Sequence, residues 1–288
     1  MGRNGTIVVF AKCPLPGSSK TRLAPLLGDD GAALLAQAML SDVLSSLTAC
    51  DHLQDTLKLL VYAPGDSNTG SRMTKILASL GLSSCSSESY TPRKDTTSNW
   101  VLMPMLSDSS DLTSSSLGDK LMDSLTRARE LDEGSPVLFL GMDSPEVPTD
   151  EIVRGLETAS SKDMPRAYMC PANDGGYGLL ALPSCAPTSV FSGIRWSCAL
   201  TAVSQLKALS DSGIDVSIGR LMYDIDEPED VSSLAKRLSS PFSEEATSVD
   251  CNDVLSRPPF EISRFGRVSD PRKCPHTTEA LSKLELIG

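Results

Sequence analysis

Three features of the sequence predict an α/β protein with a mainly parallel sheet flanked by helices. Apolar runs rich in Val, Ile and Leu, at 6–10, 57–62 and 136–140, have the length and continuity of strands buried on both faces. Stretches with apolar residues at three- and four-residue steps lie between them, so strand and helix alternate. Charged or glycine-rich loops follow strand ends directly, where open parallel sheets hold their ligands.

The first strand, 6–10, runs into a loop in which Pro14, Pro16 and Gly17 impose extended and turning backbone. Lys20 and Arg22 stand at its far side, and a compact ammonium beside a fork-shaped guanidinium suits phosphate oxygens. An ordinary strand-to-helix connection with two solvated cations has the same spacing. The loop is neither GxxxxGK[ST] nor GxGxxG. Gly28-Asp29-Asp30 offers a helix start, and Leu34, Ala38, Met39, Val43, Leu44 and Leu47 form its apolar stripe. Strand 57–62 ends in a turn at 63–66, and a helix is expected over about 73–80. Residues 83–116 are dominated by Ser, Thr and Asp and read as an irregular or partly disordered insertion, broken by the apolar patch 100–103, where Trp100 fits either a strand or a plain packing role.

Order returns at 117–120, which opens a helix carrying Leu121, Met122, Leu125 and Ala128, and strand 136–140 follows. Asp143 lies just beyond that strand, placed either for metal or nucleotide chemistry or for an Asx turn before Pro145. Thr149 or Asp150 can cap a helix over 151–160. Two strand-like runs, 167–170 and 179–182, flank Asp174-Gly175-Gly176-Tyr177-Gly178; local chemistry favours a hairpin, and glycines also admit a ligand close to backbone. Ser197 is a natural cap for a helix over 198–209, with Trp196 free to line a pocket or staple the helix start. In the acidic stretch 224–230, Asp224 and Asp226 share one side if extended, and Asp226 with Glu229 has capping-box spacing, which is compatible with metal binding.

These elements make one domain, 1–238, followed by a Ser-, Pro- and charge-rich extension, 239–288, expected to be poorly ordered apart from a short helix near 278–286. With 26 Lys+Arg against 37 Asp+Glu, the net charge of −11 disfavours nucleic acid as a partner. No apolar run approaching the roughly 18 residues of a membrane span stands out, and the expected location is cytoplasmic. The eight cysteines include no CxxC pair, and both histidines, His52 and His276, fall outside the loops above. Oligomeric state has no signature here.

Taken in order, FAKCPLPGSSKTRL, LGDKL, GMDSPEVP, DGGYGLLAL, RWS before a helix and DIDEPEDV resemble the glycosyltransferase-A-like family of the nucleotide-diphospho-sugar transferase superfamily, selenodomain-associated transferase 1 type, over residues 6–238. The resemblance implies a GT-A-like, Rossmann-type sandwich with a nucleotide pocket at the strands' carboxyl ends. It makes Lys20 and Arg22 phosphate contacts and brings Gly17, Gly175, Gly176 and Trp196 to the substrate. Asp143 and Asp226 become ligands of a divalent cation, Mg²⁺ or Mn²⁺, and Asp174, if the reaction inverts at the sugar carbon, the base that takes an acceptor's proton. The implied activity is glycosyl transfer from a nucleotide-diphospho-sugar to a small acceptor. Nucleotidyl transfer from an NTP to a small phosphorylated or carboxylated metabolite is the alternative enzyme class, and a non-catalytic nucleotide-binding module the third reading. The superfamily's DxD triplet is reduced here to Asp143, with Ser144 and Pro145 after it.

Overall fold

The computed structural model of the 288-residue chain describes residues 4–91, 100–105, 116–146, 148–161, 164–239 and 274–287. Eight strands form one sheet: β1 (Gly5–Lys12), β2 (Thr56–Ala63), β3 (Ser84–Ser86), β4 (Trp100–Pro104), β5 (Val137–Gly141), β6 (Arg166–Pro171), β7 (Tyr177–Leu182) and β8 (Asp215–Ile218). Their order is β3-β4-β2-β1-β5-β7-β6-β8, and only β7 runs antiparallel to its neighbours. Around it lie α1 (Ala24–Ala49), α2 (Ser67–Ser79), α3 (Leu117–Leu131), α4 (Thr149–Ala159), α5 (Thr201–Asp211), α6 (Pro228–Ser239) and α7 (Pro275–Lys283).

The strands' alternation divides the core into two layers. Ile7, Val9, Leu60, Leu138, Leu140 and Leu179 face one side, with Leu40 and Leu44 of α1, Leu77 of α2 and Leu156 of α4. Val8, Leu59, Val61, Phe139 and Leu180 face the other, with Leu125 of α3 and Leu209 of α5. Sheets covered on both faces produce the near-continuous apolar runs seen in the sequence. A third cluster joins Leu23, Leu35, Met39, Ile225, Val231 and Leu234 to Leu281 of α7.

Several boundaries differ from expectation. α1 begins at Ala24, and Gly28 breaks it with a non-helical φ of 71°, so the stretch from Asp29 onward is the helix expected. α2 starts at Ser67, because the Asp66 side chain accepts from Thr69 N at 2.9 Å. Part of the 83–116 insertion is strand, including the patch at Trp100, which is buried with its Nε1 donating to Thr48 Oγ1 at 3.0 Å; residues 92–99 and 106–115 of the insertion lie outside the described residues. Neither Thr149 nor Asp150 caps α4, which follows Pro148 with no side-chain cap. Ser197 takes a left-handed φ of 57° instead of capping, and α5 starts only at Thr201. α1, with the turn before it, is long and apolar enough by length and composition alone to cross a membrane, contrary to the expectation of no such run. Most of its apolar side chains are buried against the sheet and against the third cluster, as in the core helix of a globular domain, although Leu26 and Leu34, the latter placed in the expected stripe, are exposed.

The short helix expected near the end of the extension is present with shifted bounds. α7 covers 275–283 and is packed on α1, with Cys274 and Leu281 buried. Asp42 of α1, itself buried, caps α7 from outside: its Oδ1 accepts from His276 N at 3.0 Å and its Oδ2 from Thr277 N at 2.7 Å. Residues 240–273 lie outside the described residues.

Candidate active site at the carboxyl ends of the strands

Four segments meet where β1, β5 and β6 end. In the first, Ser18 N and Ser19 N both donate to Leu15 O at 3.0 Å, and Gly17 turns the chain with a φ of 69°. Lys20 follows in the left-handed region at φ 49°, ψ 44°, and its carbonyl accepts from Leu23 N at 2.9 Å to start a 3₁₀ turn, Thr21–Leu23. Left-handed backbone costs about 1–2 kcal/mol in a residue other than glycine. The side chain supplies the compensation.

The Lys20 ammonium forms ion pairs with Asp143 and, at 2.6 Å, with Asp226 Oδ1. Its side chain is 8% exposed against 41% and 46% for the two carboxylates, so the cation lies beneath acids that open to solvent. Burial works against its charge, but Asp143 and Asp226 outweigh burial and hold its pKa above the ordinary lysine value. Arg22 is exposed and pairs with Glu227 Oε1 at 3.0 Å.

Backbone links hold the acids in place. Met142 N donates to Phe10 O at 3.1 Å as β5 leaves β1, and Ile225 N donates to Asp143 O at 3.0 Å. One step earlier, Met222 N donates to Pro171 O at 2.8 Å and Asn173 N to Met222 O at 3.3 Å. The 222–226 stretch is thus stitched to the end of β6 and to the Asp143 loop. Asp226 and Glu229 do not form a capping box: Asp230 Oδ2 accepts from Glu227 N at 2.8 Å and from Asp226 N at 3.1 Å. That leaves the Asp226 carboxylate for Lys20. Arg237 of α6 clamps Glu146, Nη2 to Oε2 at 2.5 Å, and lies 5.0 Å over the Tyr223 ring.

The glycine-rich segment is the hairpin that local chemistry favours, joining β6 to β7. Asp174 is exposed, and its Oδ1 accepts from Gly176 N at 2.7 Å in an Asx turn, leaving Oδ2 outward. Gly175 has a φ of 88°, and a Cβ there would stand 2.4 Å from Ala199 O. The close approach that glycine permits is therefore to the chain before α5. Trp196 is half-buried and packed against the apolar cluster of α3 and Phe191, with its Nε1 close to Gly118. The contacts of Gly175 are with Ala199 and those of Trp196 with Gly118, while Asp174 stands near Asp224.

Asp224 escaped the sequence reading as a site residue, although its i+2 relation to Asp226 was visible. Burial first, then Asp174, with smaller contributions from Asp226 and Asp230, pushes its carboxyl up to about 6. Glu151, in the first turn of α4, was also missed. It is fully buried and accepts from Tyr168 Oη at 2.6 Å, Cys170 Sγ at 3.4 Å and Arg220 N at 3.1 Å, while Arg220 Nε pairs with its Oε1 at 3.0 Å. Burial alone would raise its pKa, but these bonds and the Arg220 charge hold it below the ordinary glutamate value. It ties the chain after β8 to β6 and α4, under the acidic stretch.

Among the described residues no three His, Cys, Asp or Glu side chains form a group able to hold a metal ion. Asp143 and Asp226 nevertheless fit Mg²⁺ or Mn²⁺ in donor chemistry. Such ions take one or two carboxylates and complete their shell with water and substrate phosphate, and here two carboxylate oxygens already converge on one cation with open outer faces.

Residues 89–198 match the family model described as an uncharacterized protein conserved in bacteria, DUF2064. No curated protein gives a match. A proposed nucleotide-diphospho-sugar transferase from Desulfovibrio desulfuricans G20 superposes with a TM-score of 0.67 at 21% identity, covering 99% of this chain and 96% of that one. The fold is therefore that of the nucleotide-diphospho-sugar transferases, as the motifs implied. A cytidylyltransferase from Leptospira borgpetersenii serovar Hardjo-bovis reaches a TM-score of 0.46 at 12% identity, covering 87% of this chain and 92% of that one. The mannosyltransferase PcManGT from Pyrobaculum calidifontis, in complex with GDP-Man and Mn²⁺, reaches 0.43 at 11%, covering 100% of this chain and 76% of that one.

Proposed function

We propose that this chain, with the fold of the nucleotide-diphospho-sugar transferases, transfers a glycosyl group from a nucleotide-diphospho-sugar to a small acceptor with the help of Mg²⁺ or Mn²⁺. The observation that carries this reading is the convergence of Lys20, Asp143 and Asp226 at the carboxyl edge of the sheet. A cation and two carboxylates at one point are a site for a diphosphate and its counter-ion. Asp143 and Asp226 would hold the divalent ion, which when bound neutralises charge on the departing diphosphate. Lys20 and Arg22 would contact the same phosphates from the loop that turns at Gly17.

Asp174 is the proposed base. Gly176 N–H fixes one of its oxygens and leaves the other for the acceptor's hydroxyl. In the transfer, the acceptor oxygen bonds to the anomeric carbon, the bond from that carbon to the diphosphate breaks, and the hydroxyl proton passes to Asp174. Asp224 beside it is available to share that proton, since its carboxyl is already pushed up to about 6.

Two carboxylates at one cation position also suit a nucleotidyltransferase, and the products separate the two reactions. Nucleotide-sugars and NTPs are screened by thermal shift with Mg²⁺ or Mn²⁺, and hits are assayed with acceptor mixtures. Release of a nucleoside diphosphate is the expected result; pyrophosphate release would replace glycosyl by nucleotidyl transfer. Asp143→Asn is expected to abolish divalent-dependent stabilisation by the ligand. If ligand binding in that variant is unchanged with and without Mn²⁺, both enzyme readings fall.

A further inference from the structure

We infer that the Lys20 ammonium is a built-in counter-ion occupying the divalent-cation position, and that a metal ion bridges Asp143 and Asp226 only when Lys20 leaves that position for the phosphates of the donor. The inference rests on the metal-dependent reading above and specifies how that site is gated.

The geometry carries it. Lys20 Nζ touches one oxygen of each carboxylate, with Asp226 Oδ1 at 2.6 Å. Mg²⁺ held by the same two oxygens would have ligand distances of about 2.0–2.1 Å. Its nucleus and Nζ would therefore fall at nearly the same point, so the two cations exclude each other by overlap as well as by charge. Charge balance favours exchange over coexistence. Two carboxylates and one ammonium sum to −1; exchange of the ammonium for a divalent ion makes the pair of acids and the ion neutral and frees the ammonium for a new anion.

The chain is built to allow the exchange. The Lys20 carbonyl is pinned by Leu23 N at 2.9 Å and its neighbour Ser19 N by Leu15 O at 3.0 Å, which fixes the backbone on both sides. The four-carbon stem, though buried, has rotatable bonds that can redirect Nζ without moving that backbone. Asp226 keeps its main-chain tie to Asp230 whichever cation its carboxylate holds. The protein without donor then has its acids neutralised internally and binds metal weakly, whereas phosphate and metal bind cooperatively, because the phosphate receives the displaced ammonium.

Two measurements test this on the full chain. Mn²⁺ affinity, read by electron paramagnetic resonance without nucleotide, is expected to be at least tenfold tighter in Lys20→Met than in wild type, and lost in Asp143→Asn. On wild-type protein, acetylation of Lys20 by an N-hydroxysulfosuccinimide ester, read by peptide mass spectrometry, is expected to rise severalfold on adding saturating Mn²⁺. Lys58, buried and bonded to Leu53 O at 2.6 Å, is the internal reference and should not respond. Tighter binding in Lys20→Met with unchanged Lys20 labelling means that Lys20 merely repels metal from where it stands, and overturns the exchange. Equal Mn²⁺ affinities with unchanged labelling overturn it while leaving a metal-dependent enzyme intact. Absence of Mn²⁺ binding in both proteins overturns it together with the metal requirement; absence of nucleoside diphosphate in the product assay, with exchange observed, removes the proposed reaction alone.

Discussion

Glu151 shows how a single buried charge can support the site without touching a ligand. A fully buried carboxylate is tolerated only when paired and bonded, and this one has Tyr168, Cys170 and both the backbone and side chain of Arg220. Because its folded pKa lies below the usual 4.5, the native state binds fewer protons than the unfolded state between the two values. Its contribution to stability is full above the unfolded value and is lost as pH falls through the folded one. Glu151→Gln should therefore cost about 1–3 kcal/mol at pH 7, with the gap to wild type narrowing as the pH drops below that of ordinary glutamates. Urea unfolding at several pH values measures it; a gap that is constant with pH would show that the ionised carboxyl makes no net contribution. Nothing local in the sequence announced this residue, since a Glu in the first turn of a helix is ordinary. Lys20 and Asp143 were legible as candidates because each follows a strand or a turn signal, and Asp226 because its segment resembles an acidic position of the family. Their mutual contact was not, because a salt bridge between distant segments leaves no trace in spacing.

At the scale of elements, strands and helices were legible wherever the apolar period ran for two turns or a full strand, as in β1, β2, β5 and α3. Helix starts were read less well, for a physical reason. Caps depend on which residue occupies the first helical position, and Pro228 held that information: proline at the first position puts Glu227 just before the helix, where its N–H donates to Asp230 Oδ2. The Gly175 hairpin was read correctly as a turn, but what approaches its backbone was open. The neighbour is Ala199, so the hairpin and the chain entering α5 form one packed unit, reinforced by Ala202 N donating to Gly175 O at 2.9 Å. Gly175→Ala places a methyl 2.4 Å from Ala199 O at a φ of 88°; we expect a loss of about 2–4 kcal/mol and displacement of the loop carrying Trp196. Gly193→Ala separates the two causes, since Gly193 has a φ of 71° with nothing within 4 Å of its Cβ position. It should lose only the backbone cost of about 1 kcal/mol. Equal losses in thermal denaturation of the two variants would remove the close approach from the explanation.

For the molecule as a whole, the question is what holds the site loops against a sheet that ends beneath them. The third apolar cluster gives an answer: Leu23 beside Lys20, Ile225 beside Asp226, and Leu281 of α7 share one core, and Cys274 Sγ donates to Pro145 O at 3.3 Å on the Asp143 loop. The C-terminal segment thus bonds the Asp143 loop directly and shares one core with the Lys20 and Asp226 segments. The sequence suggested a loose extension, because a Ser- and Pro-rich stretch precedes the helix and the helix is short. Its anchor, Asp42, sits in the middle of α1, far away in the chain. Burial pushes the Asp42 carboxyl up, and its bonds to Thr277 and His276 oppose that push. Asp42→Ala removes both acceptors from the α7 N-terminus and should cost about 2–4 kcal/mol. The loss should not be uniform across the fold. If α7 braces the site, amide exchange in Asp42→Ala accelerates at 20–23, 143–146 and 224–227 together with 275–283, while β1 and β5 keep their protection. Acceleration confined to α7 would make it an independent appendage, whereas joint acceleration would show that the C-terminal helix and the three loops open as one unit.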